Sequence, residues 1–526
     1  MSERLDGKSN KFSRFCAGAI LVLAMLFMAF LLPMSLIRTT GMSAGASGLT
    51  GEIVTFNYDN FFLNVIVLAI CVATVYIFSR LCEHLRLKNL IAALMLWTVL
   101  FGAAFVCSAK LQPSEDSFIV TFFARQAAKG DVSYYHEYFT FFPFQFGFVL
   151  YEELFFRLFG LVLPNAPEGF SSLALQGVNV LWTALTYYAV IACTGYIFKS
   201  EDVQKVTAIL LFFFLPPVLF ATYMYGNVPG LACCCTGAWM FLRCQARRGW
   251  GSGVLCAVFF ALAVCLKLNS LIFFAAVVIV WIVSLIRRPE GRSFILLALL
   301  VFMTLGLKGL PQRYYEARCG ESFGSGVPML GWMAMGVSEG QSCSGWYDTA
   351  YTTDAYKAAG YDRAVAEDTA RAAIKARLEY FGEEPREGAR FFSRKLLSQW
   401  NEPTYQGLWN NQIRKKYSEP GKLYELVCQR FARRLTQLMN YYQQMIFFGF
   451  TLGLALLMNK KAITAALFPL VVLGGLLYHL LFEAKSQYAV GYVLLMIPIA
   501  AYGIMHLSDF AAERSRRKDP AYGKDL

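Results

Sequence analysis

The sequence predicts an all-α polytopic membrane protein with about twelve transmembrane helices, interfacial helices and a mostly helical outer loop domain. Of its 526 residues, 57% are hydrophobic and only 16% are charged, whereas soluble domains are near a quarter charged. The apolar residues recur in runs of about 18–25, the length that crosses a bilayer core. Lysines and arginines stand in short clusters between these runs, as membrane topology requires. The formal charge is +13, but no basic cluster with interleaved stacking aromatics predicts nucleic-acid binding.

The first span is predicted from the charged N-terminus. Arg4, Lys8, Lys11 and Arg14 precede an apolar run at 15–37, which is too long for a signal peptide and has no small-residue cleavage site. We therefore expect a retained helix with a cytoplasmic N-terminus. The further predicted spans are 61–79, 89–109, 173–198, 203–222, 229–246, 251–266, 270–287, 293–310, 441–458, 462–482 and 488–508. Twelve spans place both termini inside.

Residues 143–160 decide the count of spans. If they crossed the membrane, the basic clusters at 243–248, 287–292 and 460–461 would lie outside, against the positive-inside rule. At 100° per residue, Gln145, Glu152, Glu153 and Arg157 fall in an arc of about 140°. This pattern is typical of an interfacial amphipathic helix on the outer surface.

The predicted spans divide the chain into four parts. Residues 1–88 are an N-terminal two-helix addition, and 89–310 a transmembrane module whose first outer loop is 110–172. Residues 311–440 form a large extracytoplasmic loop domain. Residues 441–526 hold the last helices and a cytoplasmic tail, whose Arg514, Arg516, Arg517 and Lys518 are expected to lie at the membrane surface.

The 14 cysteines do not predict a metal site. Most lie in apolar runs, and Cys233, Cys234 and Cys235 point in three directions on one helix, as expected of small residues in helix packing. Cys319 and Cys343 share a polar loop predicted to face an oxidising compartment, so either a disulfide or two free thiols is compatible with the sequence. No P-loop, zinc motif or Ser-His-Asp elements occur, which makes ATP-driven transport and metallo-hydrolysis poor explanations.

The candidate functional residues stand close to the outer ends of spans. Glu115 and Asp116 open an apolar surface helix after span 89–109. With Ser114 they could cap that helix, with Arg125 and Lys129 balancing its dipole. Alternatively, one of the two is a general base, because a carboxylate beside lipid is partly desolvated and becomes more basic.

Four further groups share this placement, and each has a structural alternative. Charged groups so close to hydrocarbon are costly without partners, although Lys485 and Tyr488 could simply anchor the interface. Lys485 could instead hold a phosphate, and Trp400 could stack on a sugar ring or be a buried loop aromatic. The groups are Glu483, Lys485, Gln487 and Tyr488 before the last span, Lys267, then Tyr225 and Asn227 on outer turns, and Trp400 and Glu402 in the large loop.

The order of these features resembles the GT-C glycosyltransferase superfamily. More closely, it resembles bacterial membrane proteins related to protein O-mannosyltransferases and to the lipid A aminoarabinose transferase. The stretch from PSEDSFIV to EELFFRLFG is similar to that family's first outer loop, and GWMAMG, QWNEPTY and EAKSQYAVGY to its later landmarks. The resemblance covers roughly 89–508. Runs 15–37 and 61–79 precede it and look like an addition.

The resemblance implies a function and assigns roles. Asp116, or its neighbour Glu115, would be the catalytic base. Lys485, with Lys267 and Arg125 as further candidates, would bind the phosphate of the donor. The reaction implied is transfer of a sugar from a polyprenyl-phosphate donor to an acceptor hydroxyl at the outer face of the cell membrane, with inversion.

The expected partners are the lipid-linked donor, a glycan, lipid or protein acceptor, and membrane lipids, with no nucleic acid. No cofactor is expected, because the first outer loop holds no Asp-x-Asp; a divalent metal remains an alternative. A polysaccharide polymerase or ligase and a lipid-linked glycan transporter are the rival functions, and a non-catalytic envelope protein is a third. A transporter would be expected to show paired repeats and ionisable groups at mid-bilayer.

Overall fold

The computed structural model describes residues 2–43, 52–81 and 84–507, without the side chains of 2–9 and Tyr417. The basic tail predicted at 514–518 and the last residue of the predicted span 488–508 lie outside the described residues.

Helices dominate the described chain. In order they are α1 (Ser2–Ile37), α2 (Phe61–Leu81), α3 (Leu87–Ala109), α4 (Glu115–Ala128), α5 (His136–Phe141), α6 (Phe146–Val162), α7 (Glu168–Phe198), α8 (Glu201–Phe213), α9 (Pro216–Leu219), α10 (Asn227–Arg247), α11 (Trp250–Leu266), α12 (Leu271–Arg287), α13 (Gly291–Val301), α14 (Leu310–Cys319), α15 (Met329–Gly336), α16 (Thr353–Ala358), α17 (Arg363–Glu383), α18 (Pro385–Trp400), α19 (Gly407–Ile413), α20 (Lys422–Glu425), α21 (Ala432–Lys460), α22 (Leu467–Leu481) and α23 (Ser486–Met505).

Eight helical segments in the described residues are long and apolar enough to cross a bilayer. They are α1, α2, α3, α7, α12, the continuous segment Gly291–Cys319, α21 and α23. The pair Glu201–Phe213 and Pro216–Thr222 qualifies as a ninth span bent by 46°, and α11 and α22 are shorter apolar helices. The polytopic helical architecture is confirmed, while the number twelve stays a prediction.

The predicted span 229–246 is the helix α10, which does not reach the apolarity of the other spans. It packs between α7 and α11, so few of its side chains need to face lipid. Its small residues allow this close packing. Cys233, Cys234 and Cys235 are all buried in the core, as the sequence predicts for packing residues.

The helix α6 is not among the candidate spans, but its polar stripe faces protein. Glu153 is 1% exposed and forms an ion pair with Arg318 at 2.8 Å. It also accepts a hydrogen bond from Tyr315 at 2.5 Å. Glu152 is fully buried and accepts one from Thr121. The polar arc, which would face water in the predicted interfacial helix, instead packs against α4 and α14.

A two-stranded hairpin lies between α1 and α2, where the sequence predicts only helix and loop. The strands β1 (Arg38–Ser43) and β2 (Ile53–Tyr58) pair antiparallel. The backbone N–H of Thr40 donates to the Asn401 carbonyl at 3.1 Å, and the Thr40 hydroxyl donates to the Leu397 carbonyl at 2.9 Å. The hairpin is thereby held on the end of α18.

Close glycine contacts bring the last two long helices together. A Cβ on Gly453 of α21 would lie 2.3 Å from the Ile499 carbonyl, and one on Gly503 of α23 would lie 2.2 Å from the Gly449 carbonyl. Only glycine permits this backbone approach, as is common between membrane helices. As a result α23 is almost entirely buried, and its first residues are held in a fixed position.

The basic clusters and the candidate site lie at opposite ends of the helices. Arg247, Arg287 and Lys460 stand in the last turns of α10, α12 and α21. The site residues Asn227 and Lys485 stand at the starts of α10 and α23. The predicted sidedness, with the site outside and both termini inside, stays a prediction.

Cys319 and Cys343 are both free thiols. The Cys319 sulfur lies 3.6 Å from the Val132 carbonyl, whereas Cys343 is buried with Trp346 and Ala484. The disulfide that the sequence left open is not formed, because the two thiols pack in different parts of the protein.

Candidate functional site

Helix ends from distant parts of the chain meet in one recess. It is formed by the start of α4, the turn before α10, the turn between α11 and α12, and the turn before α23. We call it the acidic–lysine recess, defined by Asp116, Glu483, Lys267 and Lys485. Lys485 Nζ lies 4.0 Å from Glu483 Oε1, and Lys267 Nζ lies 5.6 Å from the centre of the ring of Tyr488, which bonds to Glu483. The charges of both lysines also lower the pKa of the Asp116 carboxyl.

Asp116 lies in the first turn of α4, where a capping box fixes the start of the helix. The Ser114 and Ser117 side chains each bond to the other's backbone. Glu115 between them has φ of +52°, a left-handed conformation that is strained for a residue with a side chain. The predicted capping is therefore done by the two serines, and the two carboxylates are left available.

The Asp116 side chain is exposed to solvent, but it lies within the recess, where the surrounding protein replaces much of the bulk water. This enclosure raises the pKa of its carboxyl, while the charges of Lys485 and Lys267 lower it in part. The Tyr138 hydroxyl also lowers it, although it does not reach full hydrogen-bond geometry. Enclosure likewise raises the pKa of Glu115. Both carboxyls are thus more basic than ordinary ones, as a general base requires.

Lys485 is held between two carboxylates. Its Nζ lies 2.9 Å from Glu52 Oε1 and 4.0 Å from Glu483 Oε1, with 17% of the side chain exposed. Burial alone would lower the pKa of Lys485, but Glu52 and Glu483 raise it above its ordinary value. Lys485 is therefore a fixed positive charge at neutral pH.

Lys267 is the second cation of the recess. Its Nζ lies 4.3 Å from the centre of the Tyr225 ring and 5.6 Å from that of Tyr488. Burial lowers the pKa of Lys267 to about 8. Gly226 makes this contact possible, because a Cβ there would lie 1.9 Å from the Leu266 carbonyl.

The turn before α23 is held in place by hydrogen bonds and ring stacking from neighbouring residues. Tyr488 donates to Glu483 Oε2 at 2.9 Å and stacks on the His479 ring at 5.2 Å. The buried Lys395 donates to the carbonyls of Leu480 at 3.0 Å and Phe482 at 2.8 Å, and also to that of Gly336. These bonds fix the end of α22 and hence the position of Glu483 and Lys485.

The predicted outer turns contribute polar groups to the same region. Tyr225 is buried and accepts a hydrogen bond from Gln145. The amide nitrogen and oxygen of Asn227 are buried without a hydrogen-bond partner in the described part of the chain. Gln487 lies half-buried on the first turn of α23. Asn227 thus offers a free donor and acceptor beside Lys267.

Three predicted site residues have other roles. Arg125 lies nine residues along α4 from Asp116, about 13 Å away, where it pairs with Glu168 at 3.4 Å; it is not a cation of the recess. Trp400 is fully buried and stacks on Tyr492, so it offers no face to a sugar.

Glu402 is 1% exposed and organises the turn that follows α18. It accepts from the Thr404 backbone at 2.8 Å and hydroxyl at 2.6 Å. It also accepts from the Gln406 backbone and from the Ser486 hydroxyl, the latter at 3.0 Å. The bonds from Thr404 and Gln406 close the turn, and the bond from Ser486 ties it to the start of α23, so the Glu402 carboxylate is engaged within the protein.

Two aromatic residues missed in the sequence, Tyr138 and Tyr347, lie near the recess, and other rings pack between them. Tyr138 packs on Phe142, with ring centres 5.0 Å apart, and Phe142 lies 6.1 Å from Trp332. Tyr347 lies 6.2 Å from Trp332 and is close enough to Asp116 and Glu483 for their charges to raise its pKa, with burial the larger cause. Tyr138 lies in an aromatic-rich stretch, YYHEYFTFFPF, whose composition was the available signal.

Glu52 is the other missed residue. Nothing in its local sequence distinguishes it, because its role depends on a hairpin that the sequence does not predict. Among the described residues, no group of three or more His, Cys, Asp or Glu side chains could hold a metal ion, and the absence of a cofactor stays a prediction.

Comparisons with known proteins give only distant likenesses. No family model matches the chain, and no curated protein matches it. The chain is similar to the crystal structure of the Archaeoglobus fulgidus oligosaccharyltransferase in the apo form, at 11% identity and a TM-score of 0.40, covering 80% of this chain and 51% of that one.

A second similar structure is the oligosaccharyltransferase AglB from the same archaeon in complex with an inhibitory peptide and a dolichol-phosphate, at 11% identity and a TM-score of 0.40. It covers 82% of this chain and 52% of that one. The chain thus spans about half the length of these proteins. At this level of similarity, function has to be argued from the residues of the recess.

Proposed function

We propose that the protein is an integral membrane glycosyltransferase that moves a sugar from a polyprenyl-phosphate donor to an acceptor hydroxyl. The reaction takes place at the outer face of the cell membrane. Asp116 is the general base, and Lys485 and Lys267 bind the phosphate. The observation that carries this proposal is that Asp116, whose carboxyl pKa is raised, lies with Lys267 and Lys485 at one end of a bundle of apolar helices.

The recess supplies the groups that such a transfer needs. The acceptor oxygen attacks the anomeric carbon as its proton passes to the Asp116 carboxylate. The bond from that carbon to the phosphate oxygen breaks, and the bonding electrons leave with the lipid phosphate. The positive charges of Lys485 and Lys267 stabilise the developing charge on the leaving group. A single displacement inverts the anomeric centre.

Placement at helix ends suits a donor with a long apolar carrier. A polyprenyl chain is soluble only in the bilayer, while its phosphate and sugar stay at the water interface. The recess lies at the starts of α10 and α23, at one end of the helix bundle, where a phosphate and a sugar can stay at the interface. The aromatic group of Tyr138, Trp332 and Tyr347 offers faces on which a sugar ring can stack.

The recess supports transfer over transport. A transporter is expected to carry its ionisable groups at mid-bilayer, whereas this charge cluster stands at the ends of helices. A polymerase or ligase that uses the same donors remains compatible with this site, and the nature of the acceptor separates it from a monosaccharide transferase.

The test is donor-dependent release of lipid phosphate from several polyprenyl-phosphate sugars by the purified protein. Replacing Asp116 with Asn should reduce release by about 10²–10⁴-fold, the usual contribution of a general base. Asp131→Asn is the control, because Asp131 is an exposed carboxylate of the same loop that caps Ser133. Equal rates for Asp116→Asn and wild-type protein would exclude Asp116 as the base.

A further inference from the structure

The hairpin of the N-terminal addition inserts a carboxylate into the recess. Glu52 precedes β2, and its Oε1 lies 2.9 Å from Lys485 Nζ. Its side chain is 17% exposed, and the Gln406 amide donates to it at 3.3 Å. The segment that carries it lies outside the part of the chain that resembles a known glycosyltransferase module.

Glu52 is brought to Lys485 by a docked element. The hairpin is bonded through Thr40 to α18, and the Asn401 amide donates to the Arg38 carbonyl at 2.7 Å. Val54 and Phe56 of β2 pack against the buried cluster of Cys343, Trp346 and Ala484. Because Ala484 directly precedes Lys485, the hairpin rests on the turn that carries the lysine.

The charge balance of the recess disfavours binding Glu52 and a phosphate at the same time. Four carboxylates, Glu52, Glu115, Asp116 and Glu483, act on the same region as three lysines, Lys267, Lys416 and Lys485. An added phosphate would meet an excess of negative charge unless one carboxylate withdraws. Glu52 lies nearer to Lys485 than Glu483 does, at 2.9 Å against 4.0 Å. The hairpin that carries it is docked on the recess and is not one of the helix ends that form it.

We propose that Glu52 is an internal competing anion that occupies the phosphate position at Lys485 and is displaced by the phosphate of the lipid donor. This inference rests on the proposed function. Glu52 sets specificity, because only a phosphate whose lipid tail adds binding energy replaces it, whereas a free phosphate does not. Its return to Lys485 after transfer displaces the lipid phosphate product.

The experiment measures binding of a polyprenyl monophosphate to the full chain by titration in detergent. We expect Glu52→Gln to bind it about 10-fold more tightly, as expected when one partly buried competing ion pair of about 1.4 kcal/mol is removed. Glu168→Gln is the matched control, since it removes the exposed pairs of Glu168 with Arg125 and Lys129 and should leave the affinity unchanged. Inorganic phosphate should compete better in Glu52→Gln than in the wild type.

Two further variants assign the effect to the charge. Glu52→Asp retains the anion and should stay within about 3-fold of wild type, so a gain equal to that of Glu52→Gln would overturn the proposal. In the Lys485→Gln background, Glu52→Gln should give no gain, because the two residues act on one site. A gain that persists there contradicts displacement from Lys485.

The outcome for Glu52 is separable from the proposed function. If Glu52→Gln binds the lipid phosphate no better than wild type while wild type still releases it from a sugar donor, the competing role fails and the glycosyltransferase stands. If wild type neither binds the lipid phosphate nor turns over any donor, both fail.

Discussion

Asp116 and Lys267 have pKa values displaced toward each other by the same enclosure. Removal from bulk water disfavours the charged form of either group. The carboxyl therefore becomes more basic, and the ammonium becomes more acidic, with a pKa of about 8. Lys485 escapes this effect because Glu52 and Glu483 hold its charge.

The pH dependence of kcat/KM should be bell-shaped. The base works only when ionised, so activity falls as pH drops through the raised pKa of Asp116, above the ordinary value of about 3.9. Lys267 works only when protonated, so activity also falls as pH rises through about 8. Lys267→Arg should move the alkaline limb upward, because Arg keeps its charge. An alkaline limb unaffected by this change would contradict a role for Lys267.

Replacing Glu115 with Gly decides between the two adjacent carboxylates. Glycine relieves the left-handed conformation at φ +52°, which costs about 1–2 kcal/mol for other residues. We expect Glu115→Gly to keep most of the activity and to raise the denaturation midpoint, measured by thermal unfolding in detergent. If activity is lost from a folded Glu115→Gly protein, Glu115 is the base.

At this scale the sequence reveals charged residues near helix ends but not their partners. Asp116, Lys267 and Lys485 were found because ionisable groups are costly beside hydrocarbon. Trp400 and Glu402 were predicted on other grounds, as residues of the large loop, and the structure uses Trp400 in packing and Glu402 in a turn. Burial of a loop residue depends on contacts with distant segments, which no local pattern contains.

The turn before α10 positions Lys267 through a backbone contact. A Cβ on Gly226 would collide with the Leu266 carbonyl, so Gly226→Ala has to push the turn and Lys267 apart. We expect it to raise the KM for the donor by at least about 10-fold, the effect of losing about 1.4 kcal/mol of binding. Gly177→Ala is the control, because a Cβ there meets nothing within 4 Å. Equal KM values would show that the contact does not position Lys267.

Among elements, long apolar helices were predictable and packed polar ones were not. The runs that form α1, α2 and α3 are identified by hydropathy alone, since lipid requires apolar side chains. The helix α6 has an amphipathic pattern, and the cation that pairs with its polar face, Arg318, comes from another segment. The hairpin β1–β2 has only six residues in each strand, too few for a clear alternation.

At the scale of the whole molecule, the side of the membrane on which the recess lies can be tested with inserted epitopes. Gly360 is exposed and has φ +63° with open space around it. It lies next to Tyr361, which donates to Glu137 beside the recess at 2.9 Å. An epitope inserted there should be accessible to antibody on intact cells. An epitope after Arg248, about 30 Å away along α10, should require permeabilised cells. The reverse result would place the recess inside.

Because the recess is assembled from the ends of separate helices, its geometry depends on how far those helices tilt. Tilt responds to the thickness of the surrounding bilayer when helix length and hydrocarbon depth differ. The distance between Asp116 and the two lysines should then vary with acyl-chain length. We expect the transfer rate, measured in phosphatidylcholine vesicles of increasing acyl-chain length, to pass through an optimum. Bilayer thickness would then regulate catalysis.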